Sequence, residues 1–357
     1  MIRIVNNLDE LLAIKQSWND LTEGSTLPIL SFDWFYNCAK HLYDSGDIQV
    51  MLYYENDVLK CILPLARVKH GFVATYEILG SSFLYEPSSF IADRDEYFIS
   101  LLESAKTLKH PVSLRRIPGR FSGLKLRSMY ALERRSTSSS YIYTGTDWES
   151  YYASLKSRRR SDHRRALRKA AIHGTVRTDI LQPTATEFEP LFQDAMQIES
   201  SGWKGVRKSA LLLNENTQNF FRAYLVEMCR RGLVRIAFLS ISDKRIAMSI
   251  CIVENSQCCV LKIGYIEEYS DCSPSMLLAM ETIKYAFEQQ LASYEFLGSY
   301  ESWQDMWTIG IRNYATVTLY PYSINSLLHL GTDFGRFLMR RMAPRSLYTG
   351  GTAGPQR

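Results

Sequence analysis

The chain has 357 residues, of which 46% are hydrophobic and 22% charged, and a formal net charge of +5. That length suits two domains of ordinary size with full cores, which excludes a disordered or low-complexity chain. No apolar run reaches the roughly 18 residues that span a bilayer, no signal-peptide order opens the chain, and the mild charge permits an anionic ligand without demanding nucleic acid.

In chain order, Asp9–Leu21 is amphipathic, with Leu11, Leu12, Ile14, Trp18 and Leu21 on one side. Ser31 is placed to cap a second helix, Phe32–Leu42. Strand-like runs follow at Ile48–Tyr54, Leu59–Val68 and Val73–Leu79, then a helix over Glu96–Leu108 and a strand at Val112–Ile117. Arg115–Ser140 is basic and Ser-rich, and a linker is expected near Arg134–Ser140. The 22 tyrosines point to large packed interfaces, with sugar contact as the alternative. The seven cysteines form no Cys-x-x-Cys pair, so reduced thiols in a cytoplasmic protein are expected.

The second half repeats this order: helices over Glu187–Ser200 and Thr217–Arg230, the latter stopped by Gly232, then strands at Val234–Ile241, Ile246–Val253 and Cys258–Ile266. Cys259, Leu261, Ile263 and Tyr265 alternate onto one strand face. Ser273-Pro274 then offers an N-cap hydroxyl and a proline at the first helical position, with Leu277, Met280, Ile283 and Phe287 at helical spacing. A helix opening at a strand's end leaves backbone N–H groups that suit a phosphate or carboxylate, although most such loops bind nothing. A further strand is expected at Tyr294–Gly298.

The expected fold class is α/β, two tandem units that each have a mixed, mostly antiparallel sheet flanked by helices. The units are placed at residues 1–140 and 141–330, the second including a basic helix over 155–170, with a flexible basic tail over 331–357. The run Lys156–Lys169 holds eight basic residues and one acid. It reads as a solvated connector or as a site for an anionic partner, a polysaccharide, a lipid-phosphate-linked substrate or tRNA.

Particular residues carry a resemblance. The stretch Ile198-Glu199-Ser200-Ser201-Gly202-Trp203-Lys204-Gly205, followed by Ser209-Ala210, resembles the Glu-x-x-Gly-Trp-Lys-Gly stretch of CelD-like acetyltransferases of the GNAT superfamily, named for cellulose biosynthesis. Lys262–Tyr265 with Ser273-Pro274 and Leu277-Leu278 resembles that family's strand–loop–helix. Trp18, Leu21, Pro28, Ser31 and Trp34 fit its opening, as does the basic helix around Arg158–Arg168. The sequence departs from the pattern at Ser275, where a glycine is usual, and at Trp303, where a lysine is usual. The family is related to the FemABX transferases, which carry tandem GNAT units and use aminoacyl-tRNA.

The resemblance implies N- or O-acyl transfer from acetyl-CoA or another acyl-CoA to an amine or hydroxyl, on a sugar or polysaccharide precursor in extracellular polysaccharide biosynthesis. The alternatives are an aminoacyl-tRNA-dependent transferase and a non-catalytic subunit of a polysaccharide assembly. Such transfer needs a base for the nucleophile and an acid for the leaving thiolate. Glu199, on an otherwise apolar helix face, is the candidate base, and Tyr265, at a strand end, the candidate acid; a solvent-facing glutamate and a packed tyrosine are the plain readings. Ser273, Ser275, Met276 and Leu277 would cradle the donor phosphates. Trp203 and Lys204 would bind substrate, as would Glu301 and Asp305, which stand four apart; core and surface roles remain open for these. No metal is expected: the six histidines form no ligand pair, and Asp93-Arg94-Asp95 reads as the start of a helix.

Overall fold

Apolar alternation builds two sheets, and in the computed structural model residues 1–24, 27–70, 73–84, 86–201, 214–307 and 309–332 are described. The first half begins with β1 (Ile2–Val5), α1 (Leu8–Ala13) and α2 (Lys15–Thr22). The single helix expected over Asp9–Leu21 is thus two, because the Ile14 N–H folds back onto Leu11 O and tightens the turn there. α3 (Phe32–Leu42) starts where the sequence places it, the Ser31 hydroxyl accepting from the Trp34 N–H at 3.3 Å.

β2 (Ile48–Glu55), β3 (Val58–His70) and β4 (Val73–Ile78) form an antiparallel meander, and the short β5 (Ile91–Ala92) pairs with β3. α4 (Asp95–Ser104) crosses over to β6 (Val112–Pro118), which runs parallel to β4. Asp93 accepts from Lys60 at 2.9 Å, and Asp95 accepts from Nε and Nη2 of Arg120 at 2.9 and 3.0 Å. The basic stretch expected to hold a linker contains β7 (Met129–Arg134) and the start of β8 (Ser139–Tyr143).

The second half runs α5 (Trp148–Ser154), α6 (Ser157–His173), β9 (Val176–Leu181), α7 (Phe188–Ser200) and α8 (Glu215–Arg230). A second antiparallel meander follows, β10 (Val234–Ile241), β11 (Lys244–Glu254) and β12 (Gln257–Tyr265). α9 (Pro274–Glu288) then crosses to β13 (Ser293–Glu295), parallel to β12, and β14 (Gly310–Arg312) and β15 (Tyr314–Pro321) close the fold.

The strand orders are β1-β2-β3-β4-β6-β15-β7 and, read from the other end, β9-β10-β11-β12-β13-β8-β14. They correspond position by position, which is the tandem α/β architecture expected. One correction concerns where each unit ends. β15, assigned by order to the second unit, lies between β6 and β7 of the first sheet, while β8 lies between β13 and β14 of the second. Alternation fixes which face a strand buries, and says nothing of which of two similar sheets receives it.

The units share one core. Trp34 on α3 meets Phe220 and Tyr224 on α8 edge-on, with ring centroids 5.0 Å apart in both pairs. All three rings are buried, so aromatic packing fastens one unit to the other. The expected tail lies outside the described residues beyond residue 332.

Candidate functional site

β12 changes face along its length. It pairs Cys251↔Val260 and then Ile250↔Lys262, so Leu261 is an extra residue, a bulge. Cys259 and Leu261 belong to the core shared with α7 and α8, whereas Ile263 and Tyr265 pack toward α9. The single face expected for these four residues is therefore split in two by the bulge. Beside it the sheet opens. The parallel ladder to β13 stops at Cys259↔Glu295, while β12 runs on to Tyr265. A wedge between two parallel strands, next to a bulge, is where a ligand reaches the interior of a sheet.

The loop beyond Tyr265 is a 3₁₀ turn over Glu267–Cys272, and α9 starts at Pro274 as expected. Ser273 does not act as the expected hydroxyl cap: its backbone is left-handed (φ 53°, ψ 59°) and its side chain makes no capping bond. The expected cradle also narrows. Both Met276 and Leu277 donate their N–H groups to Ser273 O, at 3.1 and 3.2 Å, and the Leu277 side chain is buried. Ser275 supplies the outward backbone donor of this first turn, since Pro274 has none.

The basic helix α6 lies directly against this loop, a juxtaposition the sequence does not show. It has a narrow buried stripe: Ala166 and Ala170 pack toward α9, while the His163 ring bonds the Tyr152 hydroxyl on α5 at 3.0 Å. Arg164, Arg165, Arg168 and Lys169 remain exposed. Between α6 and the start of α9 lies a cavity of about 310 Å³ lined by Asp162, Arg165, Ala166, Lys169, Asp271, Ser273 and Met276. Lys169 Nζ donates to Asp271 O at 3.1 Å, and Arg165 is held by Asp162 at 2.8 Å. Two cations and a helix start thus face one cavity, Arg165 fixed by a carboxylate and Lys169 by a backbone carbonyl.

Tyr265 borders this region, packed with Tyr269 and Met276 against a small core that includes Ala166, Ala170 and Leu278. Burial, then its hydrogen bond to Glu267, raises the pKa of its phenol above the ordinary value. It therefore stays protonated at neutral pH, as an acid must. Glu199 lies on the other face of β12, at the end of α7 and only 3% exposed. It reaches the strand because residue 264 is a glycine: a Cβ there would stand 2.8 Å from the Glu199 Cα. Gly264→Ala is accordingly expected to destabilise the fold by about 1–3 kcal/mol through overpacking, read as a lower urea midpoint; an unchanged midpoint would mean that α7 can retreat freely.

Next to Gly264 on that face, Lys262 sits 3.6 Å from Glu86 of the first unit, over the Phe221 ring at 4.4 Å. The Glu86 side chain is 5% exposed, so charge from both units meets in the seam beside Glu199. Trp203 and Lys204 lie outside the described residues. Glu301 and Asp305 are held within their own turn. Glu301 forms a reciprocal cap with Gln304 and accepts from Trp303 Nε1 at 2.8 Å, and Asp305 accepts from the Tyr300 hydroxyl. They line up with a 3₁₀ turn over Ser302–Met306 rather than an α-helical face.

Two arginines that sequence reasoning passed over fasten the wedge. Arg116, in β6 with φ 51°, donates to the carbonyls of Leu297 and Gly298, each at 3.0 Å, just beyond β13. Arg312 donates to both oxygens of Glu295, through Nε at 2.7 Å, and the Ser293 hydroxyl adds a third bond to that carboxylate at 2.7 Å. A non-glycine residue at positive φ leaves no mark in sequence, but Glu295 in an apolar strand run is a signal: such a carboxylate needs a cation nearby. Among the described residues, no cluster of three His, Cys, Asp or Glu side chains is arranged for a metal. No helix among them is long and apolar enough to cross a membrane.

Known proteins bear on this geometry as follows. Residues 157–305, from α6 to the turn at Asp305, match the model of the acetyltransferase (GNAT) domain. FemX has a similar structure (TM-score 0.58, 12% identity), the similarity covering 88% of this chain and 97% of that one. The C-terminal domain of a lysylphosphatidylglycerol synthetase from Agrobacterium fabrum is also similar (TM-score 0.54, 10% identity, 90% and 96% covered). So is L-PGS from Bacillus licheniformis (TM-score 0.52, 12% identity, 92% and 96% covered). No curated protein matched the sequence. The chain thus has the fold of FemX across both units, and the segment that holds its bulge, wedge and cavity matches the acetyltransferase (GNAT) domain.

Proposed function

We propose that the chain is an acyltransferase that moves an acetyl or related acyl group from acyl-CoA to an amine or hydroxyl. The acceptor in this reading is a sugar or polysaccharide precursor of extracellular polysaccharide biosynthesis, as the CelD-like residues imply. The supporting observation is the cavity where Arg165 and Lys169 meet the first turn of α9. A diphosphate placed there would take the Ser275 N–H and both cations. The donor's extended arm would then follow β12 into the wedge, pairing with its edge as an added strand does. The second unit does the chemistry, and the first shapes the acceptor side of the seam.

In the reaction, the acceptor attacks the thioester carbonyl and the carbon–sulfur bond breaks. Glu199 takes the acceptor's proton on one face of β12, and Tyr265 gives its proton to the leaving thiolate on the other. No covalent enzyme intermediate is required, because holding both reactants at the strand edge supplies much of the rate. Glu301 and Asp305 stay available for the acceptor only by exchanging their local bonds, which places them at the rim of this reading. Ser275 in place of glycine keeps the backbone donor that the cradle uses.

A second reading keeps the fold and changes the donor to aminoacyl-tRNA. The exposed arginines on the outer side of α6, and the FemX-like fold, favour it. Titration calorimetry with acetyl-CoA separates the two. The first reading expects binding that Arg165→Ala with Lys169→Ala weakens about tenfold or more. Undetectable binding at millimolar coenzyme A, with transfer that ribonuclease abolishes, would establish the second. Neither binding nor transfer would mark a non-catalytic subunit.

A further inference from the structure

Lys262 is a cation placed where burial is costly, and its neighbours do not use what it offers. Its side chain is 10% exposed. The ammonium meets the Glu86 carboxylate at 3.6 Å, too far for a hydrogen bond, and the Phe221 ring at 4.4 Å from the centroid. Neither contact takes up its N–H donors. Across the pair, the second oxygen of Glu86 is buried and accepts no hydrogen bond. A buried ion pair is favourable only when its remaining donors and acceptors are satisfied, so this pair suits a third group better than it suits itself.

The sheet shows where that group would lie. The ladder between β12 and β13 ends at Cys259↔Glu295, and Lys262 stands three residues further along, just past the bulge, where β12 has no neighbour on that side. Across the wedge, Arg116 holds the carbonyls of Leu297 and Gly298. Burial lowers the pKa of Arg116, and the charges of Tyr314 and Glu86 oppose that, so Glu86 is felt on both sides of the wedge. Lys262 also shares its face of β12 with Gly264, across which Glu199 packs. Two residues along a strand are about 6.6 Å apart. Two hydrogen bonds of about 2.8 Å, made to neighbouring substituents of one tetrahedral carbon, span a gap of that order.

We infer that Lys262 is a catalytic residue of the acyl transfer, its ammonium holding the donor's carbonyl oxygen and the negative charge that forms on it. The inference rests on the acyltransferase reading and applies to a thioester and to an aminoacyl ester alike. As the acceptor attacks, the carbonyl π pair moves onto oxygen beside Lys262, and the acceptor's proton passes to Glu199. When the pair returns, the carbon–sulfur bond breaks and the sulfur takes the proton of Tyr265. Lys262 lends hydrogen bonds and loses no proton.

Lys262→Met is expected to lower kcat by about 100-fold or more, the usual loss on removing one oxyanion donor, with a far smaller effect on the binding of acetyl-CoA. That variant strands Glu86 in the seam, so Lys262→Met with Glu86→Gln controls for folding: its melting temperature should return toward the parent's while kcat stays low. Isotope-edited infrared spectra of bound acetyl-CoA add a readout that a packing role would not move. The carbonyl stretch should fall on binding to the parent and keep its solution value in both variants. A double variant that regains turnover along with its melting temperature would overturn the inference, as would one carbonyl stretch common to parent and variants. A parent that transfers no acyl group from either donor would remove the acyltransferase reading itself, and the role of Lys262 with it.

Discussion

Glu199→Gln is expected to lower turnover by roughly 100-fold or more while leaving donor binding unchanged. The substitution keeps the shape of a side chain that is 3% exposed and packed across Gly264, so the end of α7 stays on β12. What it removes is the ability to accept a proton. The effect should therefore fall on kcat, with the dissociation constant of the donor, whose proposed site lies on the opposite face of β12, unaltered. Near-normal turnover in this variant would take Glu199 out of the mechanism and leave it a packing residue of the seam.

Arg312→Met should destabilise the fold by about 3–5 kcal/mol, the cost of stranding a buried charge. Glu295 is fully buried, and Arg312 donates to both of its oxygens. That pairing also holds the guanidinium more firmly protonated than usual. Without it, the Ser293 hydroxyl alone would have to solvate the carboxylate. Replacing both partners, Glu295→Met with Arg312→Met, should recover most of the loss, because two apolar groups leave no charge uncompensated. The comparison is made in urea melts. A double variant as unstable as the single one would mean that Arg312 works through its stacking on Tyr141, 4.3 Å from the ring, and not through Glu295.

The repeating order of helices, meander, crossover helix and parallel strand was legible because each element carries its own period and stop. Ser31 caps α3, Gly232 ends α8 and Pro274 opens α9, where the residue types require them. The bulge at Leu261 was hidden because one extra residue preserves local alternation while turning every later side chain over. The exchange of β8 and β15 was hidden because both have the pattern of any half-buried strand. Of the candidate residues named from the sequence, Glu199, Tyr265, Ser273 and Ser275 lie around one strand and one loop. Arg165 and Lys169 were visible only as members of a charge run. Their position beside α9 follows from the buried pair Ala166 and Ala170, which is too narrow for periodicity to stand out against eight basic neighbours. Arg116 was out of reach, since its role depends on a left-handed backbone and on carbonyls nearly two hundred residues away.

Hydrogen–deuterium exchange across residues 259–280, with and without coenzyme A, tests the donor site most directly. If the diphosphate sits between α6 and the first turn of α9, exchange should slow at Ser275 and Met276 and along the end of β12. Protection there should vanish in Arg165→Ala with Lys169→Ala. Saturating ligand that leaves this segment unchanged, or that protects a different loop, would contradict it.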